Sequence, residues 1–185
     1  MSSESTLEQL QRDVQYLKDR LEIQDVIMRH ARGVDRHDAE LMDSCYHGDG
    51  VAAYGATIVP AREHSQWSKE AHRDRFTLHA HNITTHTCEI DGDVAYCESY
   101  VLGAFLSPDR KRTSLVGGRY TDQLERRDGE WKIAVRRAMT DLAVEGDASF
   151  LGAFRGRPVE PEFWSKDDVS YQRPVDLSVP SPRWH

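Results

Sequence analysis

Two aspartate-glycine pairs, Asp91-Gly92 and Asp128-Gly129, each stand between long segments of strand-forming residues, and they limit the fold more than any other feature. HNITTHTCEI, the turn DGD and VAYCESYVLGAFL read as two strands joined by a tight hairpin, because Asp-Gly readily supplies the positive φ angles of a two-residue turn. TSLVGGRYTDQLERR, Asp128-Gly129 and EWKIAVRRAMTDLAV repeat the logic. Four strands in two successive hairpins make an antiparallel meander. Gly117-Gly118 falls inside a strand, which indicates a bulge or close packing and not a phosphate-binding loop.

Helices precede this sheet. Leu7, Leu10, Val14, Leu17 and Leu21 alternate at spacings of three and four, the seam of a short coiled coil or of an amphipathic helix. Ile23, Val26, Ile27 and Ala31 extend an apolar face, either in the same helix or in a second abutting one, with Gly33 as a breaker near its end. DAELMDSCY predicts a short helix with Asp38 as N-cap and Leu41 and Met42 turned inward. Gly48 to Pro60 reads as a strand with turns, and EHSQWSKEAHRDRFTL as a further helix. Helices first and sheet afterwards is the α+β order, with helices on one face of a curved antiparallel sheet enclosing a cone-shaped cavity.

The domain is expected over residues 1–145 and a proline-rich arm over 146–185. Phe150, Phe154, Phe163, Trp164, Tyr171 and Trp184 are too many aromatic rings for a free tail, so the arm is expected to pack on its own domain or on a neighbouring subunit.

A net charge of −7 gives no attractive long-range field for nucleic acid or an anionic membrane, so a small molecule or another protein is the expected partner. No apolar run nears the roughly 20 residues of a membrane span, and no leader pattern opens the chain. Cys45, Cys88 and Cys97 form no CxxC pair and are expected as buried structural thiols in a reducing cytoplasm. Of the nine histidines, His79 and His81 share a strand face and His30, His37 and His47 lie on or near helices. No HExxH or carboxylate-flanked triad is present, and no metal is expected.

GVDRHD places Asp35 late in the first helix, and HAHNITTH opens the first long strand. A buried carboxylate bonded to one imidazole nitrogen fixes the tautomer and leaves the other nitrogen as a general base. Sequence alone leaves His79, His81 and His86 as rivals for that role, since a one-residue slip exchanges the strand's faces.

LEIQDVIMRHARGVDRHD, HNITTHTCEIDGDVA and RYTDQLERRDGEWKIAVRR together resemble the SnoaL-like group of the nuclear transport factor 2-like superfamily, over residues 7 to 145. The resemblance implies a cofactor-independent lyase or isomerase acting on a small apolar or polycyclic substrate. An aspartate–histidine dyad would remove the proton, and matching places its members at Asp35 and at His81. It also implies a pocket arginine at Arg136, with Arg137 on the opposite face, to stabilise a leaving anion or oxyanion. Tyr54, or Tyr46, corresponds to a phenol that orients a carbonyl, while Glu98, Ser99 and Tyr100 are candidates for a polar partner on the second long strand. Glu98 and Tyr100 are carried as substrate-binding candidates beside Tyr54. The same fold serves noncatalytic β subunits of ring-hydroxylating dioxygenases and small-molecule binding modules, which need no such dyad. Relatives assemble as homodimers or homotrimers, so a homo-oligomer is expected.

Overall fold

A computed structural model describes residues 3–148, 164–176 and 178. Helix α1 (Ser3–Arg36) is one continuous helix, followed by α2 (Ala39–Ser44), strands β1 (Tyr46–Tyr54) and β2 (Thr57–Pro60), and helix α3 (Ala61–Arg73). The meander then runs β3 (Leu78–Asp91), β4 (Val94–Leu106), β5 (Arg112–Arg127) and β6 (Glu130–Asp147). The six strands form an open sheet in the order β2-β1-β6-β5-β4-β3.

Both hairpins close with two-residue loops, but the two loops differ. Asp91 pairs with Val94, and Gly92 has a φ of 59°, so the first loop is Gly92-Asp93 with the left-handed residue leading. Asp128 and Gly129 are both left-handed, at 53° and 84°, as a type I′ turn requires. The sheet as a whole is mixed and not purely antiparallel, because β1 lies parallel to β6. RDGEWKIAVRR therefore belongs to an interior strand, flanked by β1 and β5, with Trp131 and Ile133 buried.

Gly33 does not break α1. A Cβ there would meet Met42 Cγ at 2.8 Å, so this glycine permits α2 to fold tightly against α1. The helix ends at Arg36, His37 takes a φ of 52°, and Asp38 caps α2 by accepting a hydrogen bond from the Leu41 amide. Met42 is fully buried at this corner. The register shift between Gly117 and Gly118 is the expected bulge, where a Cβ on Gly118 would lie 2.2 Å from the Met139 carbonyl oxygen.

Ile23, Val26 and Ile27 of α1 pack on Cys88, Ala95, Cys97, Leu124, Trp131 and Ile133 of the sheet. Asp19 anchors the start of this contact by accepting hydrogen bonds from Trp131 Nε1 at 2.9 Å and Arg126 at 2.8 Å. The apolar residues before it are exposed.

The described part of the arm packs on its own chain. The Trp164 ring stacks on His37 with centroids 4.1 Å apart, Tyr171 donates to the Asp38 carboxylate at 2.8 Å, and Arg32 lies over the Tyr171 ring. Phe150, Phe154, Phe163 and Trp184 lie outside the described residues. No helix among the described residues is long and apolar enough to cross a membrane.

Candidate active site

Between α1, α3 and the inner face of the sheet lies a cavity of about 1190 Å³, whose walls include Tyr54, Trp67, His81, Phe105 and Tyr120. Sites that bind small molecules are typically apolar hollows with a few placed polar groups. Histidine supplies those groups here.

Alternation along β3 turns His79 and His81 inward, and a register shift between Ile83 and His86 turns His86 inward too. The shift reverses the strand's parity, so odd and even positions come to share one face. Only His81 is clamped by Asp35. Its Nδ1 donates to Asp35 Oδ1 at 2.7 Å, and its backbone amide donates to both carboxylate oxygens at 3.1 and 2.9 Å. These three bonds fix the ring and place the proton on Nδ1. Nε2 makes no hydrogen bond to the described residues, and His81 lines the cavity.

His79 instead bonds the Val34 carbonyl at 3.1 Å, and its Nε2 stays 3.9 Å from Asp35. Burial pushes its pKa down to about 4, with His72 nearby adding to the effect, so it is neutral at pH 7. His86 bonds Ser99 Oγ at 2.9 Å, further along the strand.

Arg136 is buried and does not touch the cavity directly. It makes a two-pronged ion pair with Asp122, both bonds 2.7 Å, and its guanidinium lies 4.2 Å from the Tyr120 ring centre. Burial opposes its charge, but the Asp122 carboxylate outweighs that and raises its pKa well above the ordinary value. Its remaining nitrogen, Nη1, bonds His30 Nδ1 at 2.8 Å. A guanidinium only donates, so His30 Nδ1 accepts and the ring proton must sit on Nε2. Burial, reinforced by the Arg136 charge, lowers the His30 pKa well below its usual range and keeps this imidazole neutral.

His30 contributes to the cavity wall, and its enclosed Nε2 has no partner among the described residues. Tyr46 Oη and His64 Nδ1 are likewise buried without partners, and the three rings lie 5.0 to 5.4 Å apart between centroids. Buried polar groups in native proteins are nearly always paired, with protein or with ordered water. Tyr54 shares a hydrogen bond of 2.6 Å with His64 Nε2. Burial lowers the His64 pKa to about 4 and raises that of Tyr54.

The structure thus brings His81 and Tyr54 to the cavity wall, with Asp35 behind His81 and Arg136 behind His30. Glu98 and Tyr100 are elsewhere: Ser99, between them, is the residue of β4 turned inward, so both neighbours project from the outer face. There Glu98 pairs with Arg119, and Tyr100 is exposed. Sequence reasoning passed over His30 as a site residue, although it interrupts the buried stripe Ile23, Ile27, Ala31, Val34 with a polar ring. A polar side chain inside an apolar helical face was the available signal.

Among the described residues, two sets offer three metal-ligating atoms within 4.8 Å of one another, Asp35 with His79 and His81, and His86 with Cys88 and Cys97. In the first set Asp35 is already committed to the Nδ1 and backbone amide of His81, an arrangement suited to orienting imidazole.

A family model described as a SnoaL-like domain matches residues 15–137. Among solved structures, a hexachlorocyclohexane dehydrochlorinase, LinA type 2, superposes with a TM-score of 0.68 at 21% identity, covering 72% of this chain and 93% of its own. The LinA-type3 dehydrochlorinase from Novosphingobium barchaimii LL02 gives 0.68 at 22% identity, with 72% and 94% covered. The Kfla4162 protein from Kribbella flavida gives 0.64 at 20% identity, with 70% and 95% covered. At such identities the likeness is one of fold. A search of curated proteins by sequence gives no match.

Proposed function

The chain belongs to the SnoaL-like domain family, and from that premise we propose that it is a cofactor-independent lyase or isomerase for a small apolar or polycyclic substrate. The observation that carries this reading is the Asp35 clamp on His81 Nδ1, which leaves Nε2 toward an aromatic-walled cavity. His81 Nε2 takes a proton from a substrate carbon. Asp35 holds the ring and stabilises the imidazolium that forms.

The electrons released from the C–H bond leave with a group on the adjacent carbon or move onto a conjugated carbonyl oxygen. Either course develops negative charge, and the His30 Nε2–H is the donor positioned to meet it, with Tyr54 as a further hydroxyl at the wall. Arg136 acts through His30, by fixing its tautomer and polarising its N–H. Glu98 and Tyr100 take no part.

The test follows proton exchange and product formation in D₂O across a panel of polycyclic ketones, alcohols and halides. With a hit in hand, His81→Ala lowers turnover by about 10²–10⁴-fold and leaves ligand affinity within a few-fold. Full turnover by His81→Ala sinks the mechanism. A noncatalytic binding role predicts thermal protection by these ligands with no exchange at all.

A further inference from the structure

The first half of α1 carries an apolar stripe that is exposed among the described residues. Leu7, Leu10, Val14, Leu17 and Leu21 are between 47% and 66% exposed, and Met28 continues the line two turns on. Meanwhile Ile23, Val26, Ile27 and His30 fill the opposite, inward side of the same helix. The helix therefore has two apolar faces, of which the domain uses one.

The exposed face has a repeat of seven. Leu7, Val14, Leu21 and Met28 fall at the first position, and Leu10, Leu17 and Gln24 at the fourth. That is the spacing of knobs that fit between the side chains of a similar helix, whereas a flat or globular partner imposes no such period. The charges beside the seam choose the partner further. In a parallel, in-register pair, the seventh position of one helix faces the fifth position of the next repeat on the other. Those positions are Asp13 with Lys18, and then Arg20 with Asp25, opposite in sign both times. Because the pair is symmetric, each match occurs twice. Arg20 and Asp25 also have partners within their own chain, Tyr16 and Arg29. Asp13 likewise accepts from Gln9 at 2.8 Å within its own chain.

We infer that residues 7–28 of α1 form a parallel two-stranded coiled coil with the same helix of a second copy of this chain. Gln24 then meets its own counterpart in the seam, a polar layer that holds the register at some cost in stability. The two domains lie on outer sides of the paired helices, since each helix turns its other face to its own sheet.

The experiment uses the full chain in analytical ultracentrifugation, with Leu17→Cys as a geometric probe. Leu17 sits at a seam position that faces itself across a parallel pair, so Leu17→Cys yields a covalent dimer under mild oxidation. Glu22→Cys, exposed beside the seam, does not. Asp13→Lys and Lys18→Asp each weaken association about tenfold, and the double exchange restores it to within about threefold. Leu10→Asn with Leu17→Asn dissociates the pair while circular dichroism of the domain is retained, since both residues are exposed in the single chain. A wild-type monomer at tens of micromolar overturns the inference. So does an assembly that survives the Leu10/Leu17 change without Leu17→Cys cross-linking, which would assign association to another face, such as the outer sheet carrying Tyr96, Leu102 and Leu142.

Discussion

Replacing Asp122 by leucine should be among the most damaging single changes in this protein. Asp122 and Arg136 have side chains with no solvent exposure, and they share two 2.7 Å bonds. Leucine removes the anion and leaves the guanidinium enclosed, still charged, beside His30 and the Tyr120 ring. Breaking a buried pair by deleting one partner costs about 3–5 kcal/mol. For a chain this size, each kcal/mol lowers the melting temperature by roughly 2–4 °C, so the expected fall is about 6–20 °C. The two partners are not equivalent. An arginine cannot shed its proton to escape burial, whereas a stranded aspartate can take one up, so Arg136→Met should cost less than Asp122→Leu. The double change, Asp122→Leu with Arg136→Met, should recover most of the loss. Equilibrium denaturation with unchanged m-values is the assay. As a control, deleting Asp49, whose pair with Arg127 is exposed, should cost under about 1 kcal/mol. A loss for Asp122→Leu no larger than that control would mean that the unpaired guanidinium is not a buried charge.

Stability should decline on mild acidification. His64 and His79 have pKa values near 4 in the fold, so between about pH 6.5 and 4 the unfolded chain binds protons that the fold refuses. Stability rises with pH wherever the unfolded state holds more protons, so each contributes about 2 kcal/mol at pH 7 that is gone by pH 5; a flat melting temperature from pH 7 to 5 would contradict this. Gly118→Ala forces a Cβ onto the Met139 carbonyl and should destabilise by at least about 1–3 kcal/mol in urea unfolding, whereas Gly48→Ala, with open space around it, should not. Asp38→Ala removes both the cap of α2 and the acceptor of Tyr171. It should cost about 1 kcal/mol or more and speed proteolysis of residues 164–176, measured by mass spectrometry; unchanged cleavage kinetics would show that the arm is held by other contacts.

The meander was legible because turn chemistry and strand pattern agree over both hairpins. Each loop has its own register, and only the second uses both residues of Asp-Gly in the left-handed region. The parallel seating of β1 on β6 was not legible, because a short strand of small residues carries no signature of the partner it joins across the chain. Gly33 was misleading for a related reason: a glycine that admits a neighbouring helix and one that ends a helix look alike in sequence. Strand faces were the hardest feature. Alternation cannot say which parity points inward without a register, so Glu98 and Tyr100 were indistinguishable from Ser99. The bulge after Ile83 then let both parities of β3 reach one face. Pairing Asp35 with a histidine rested on the order of motifs, and the arginine-to-histidine relay under the cavity floor depends on a contact 106 residues apart in sequence.

In the proposed mechanism two histidines of one site hold their protons on opposite nitrogens, one as base and one as donor. Long-range ¹⁵N–¹H NMR of imidazole-labelled protein at neutral pH reads this without a substrate. The prediction is His81 protonated on Nδ1 with a bare Nε2, and His30 protonated on Nε2 with a bare Nδ1. His81 carrying its proton on Nε2, or His30 on Nδ1, would contradict it.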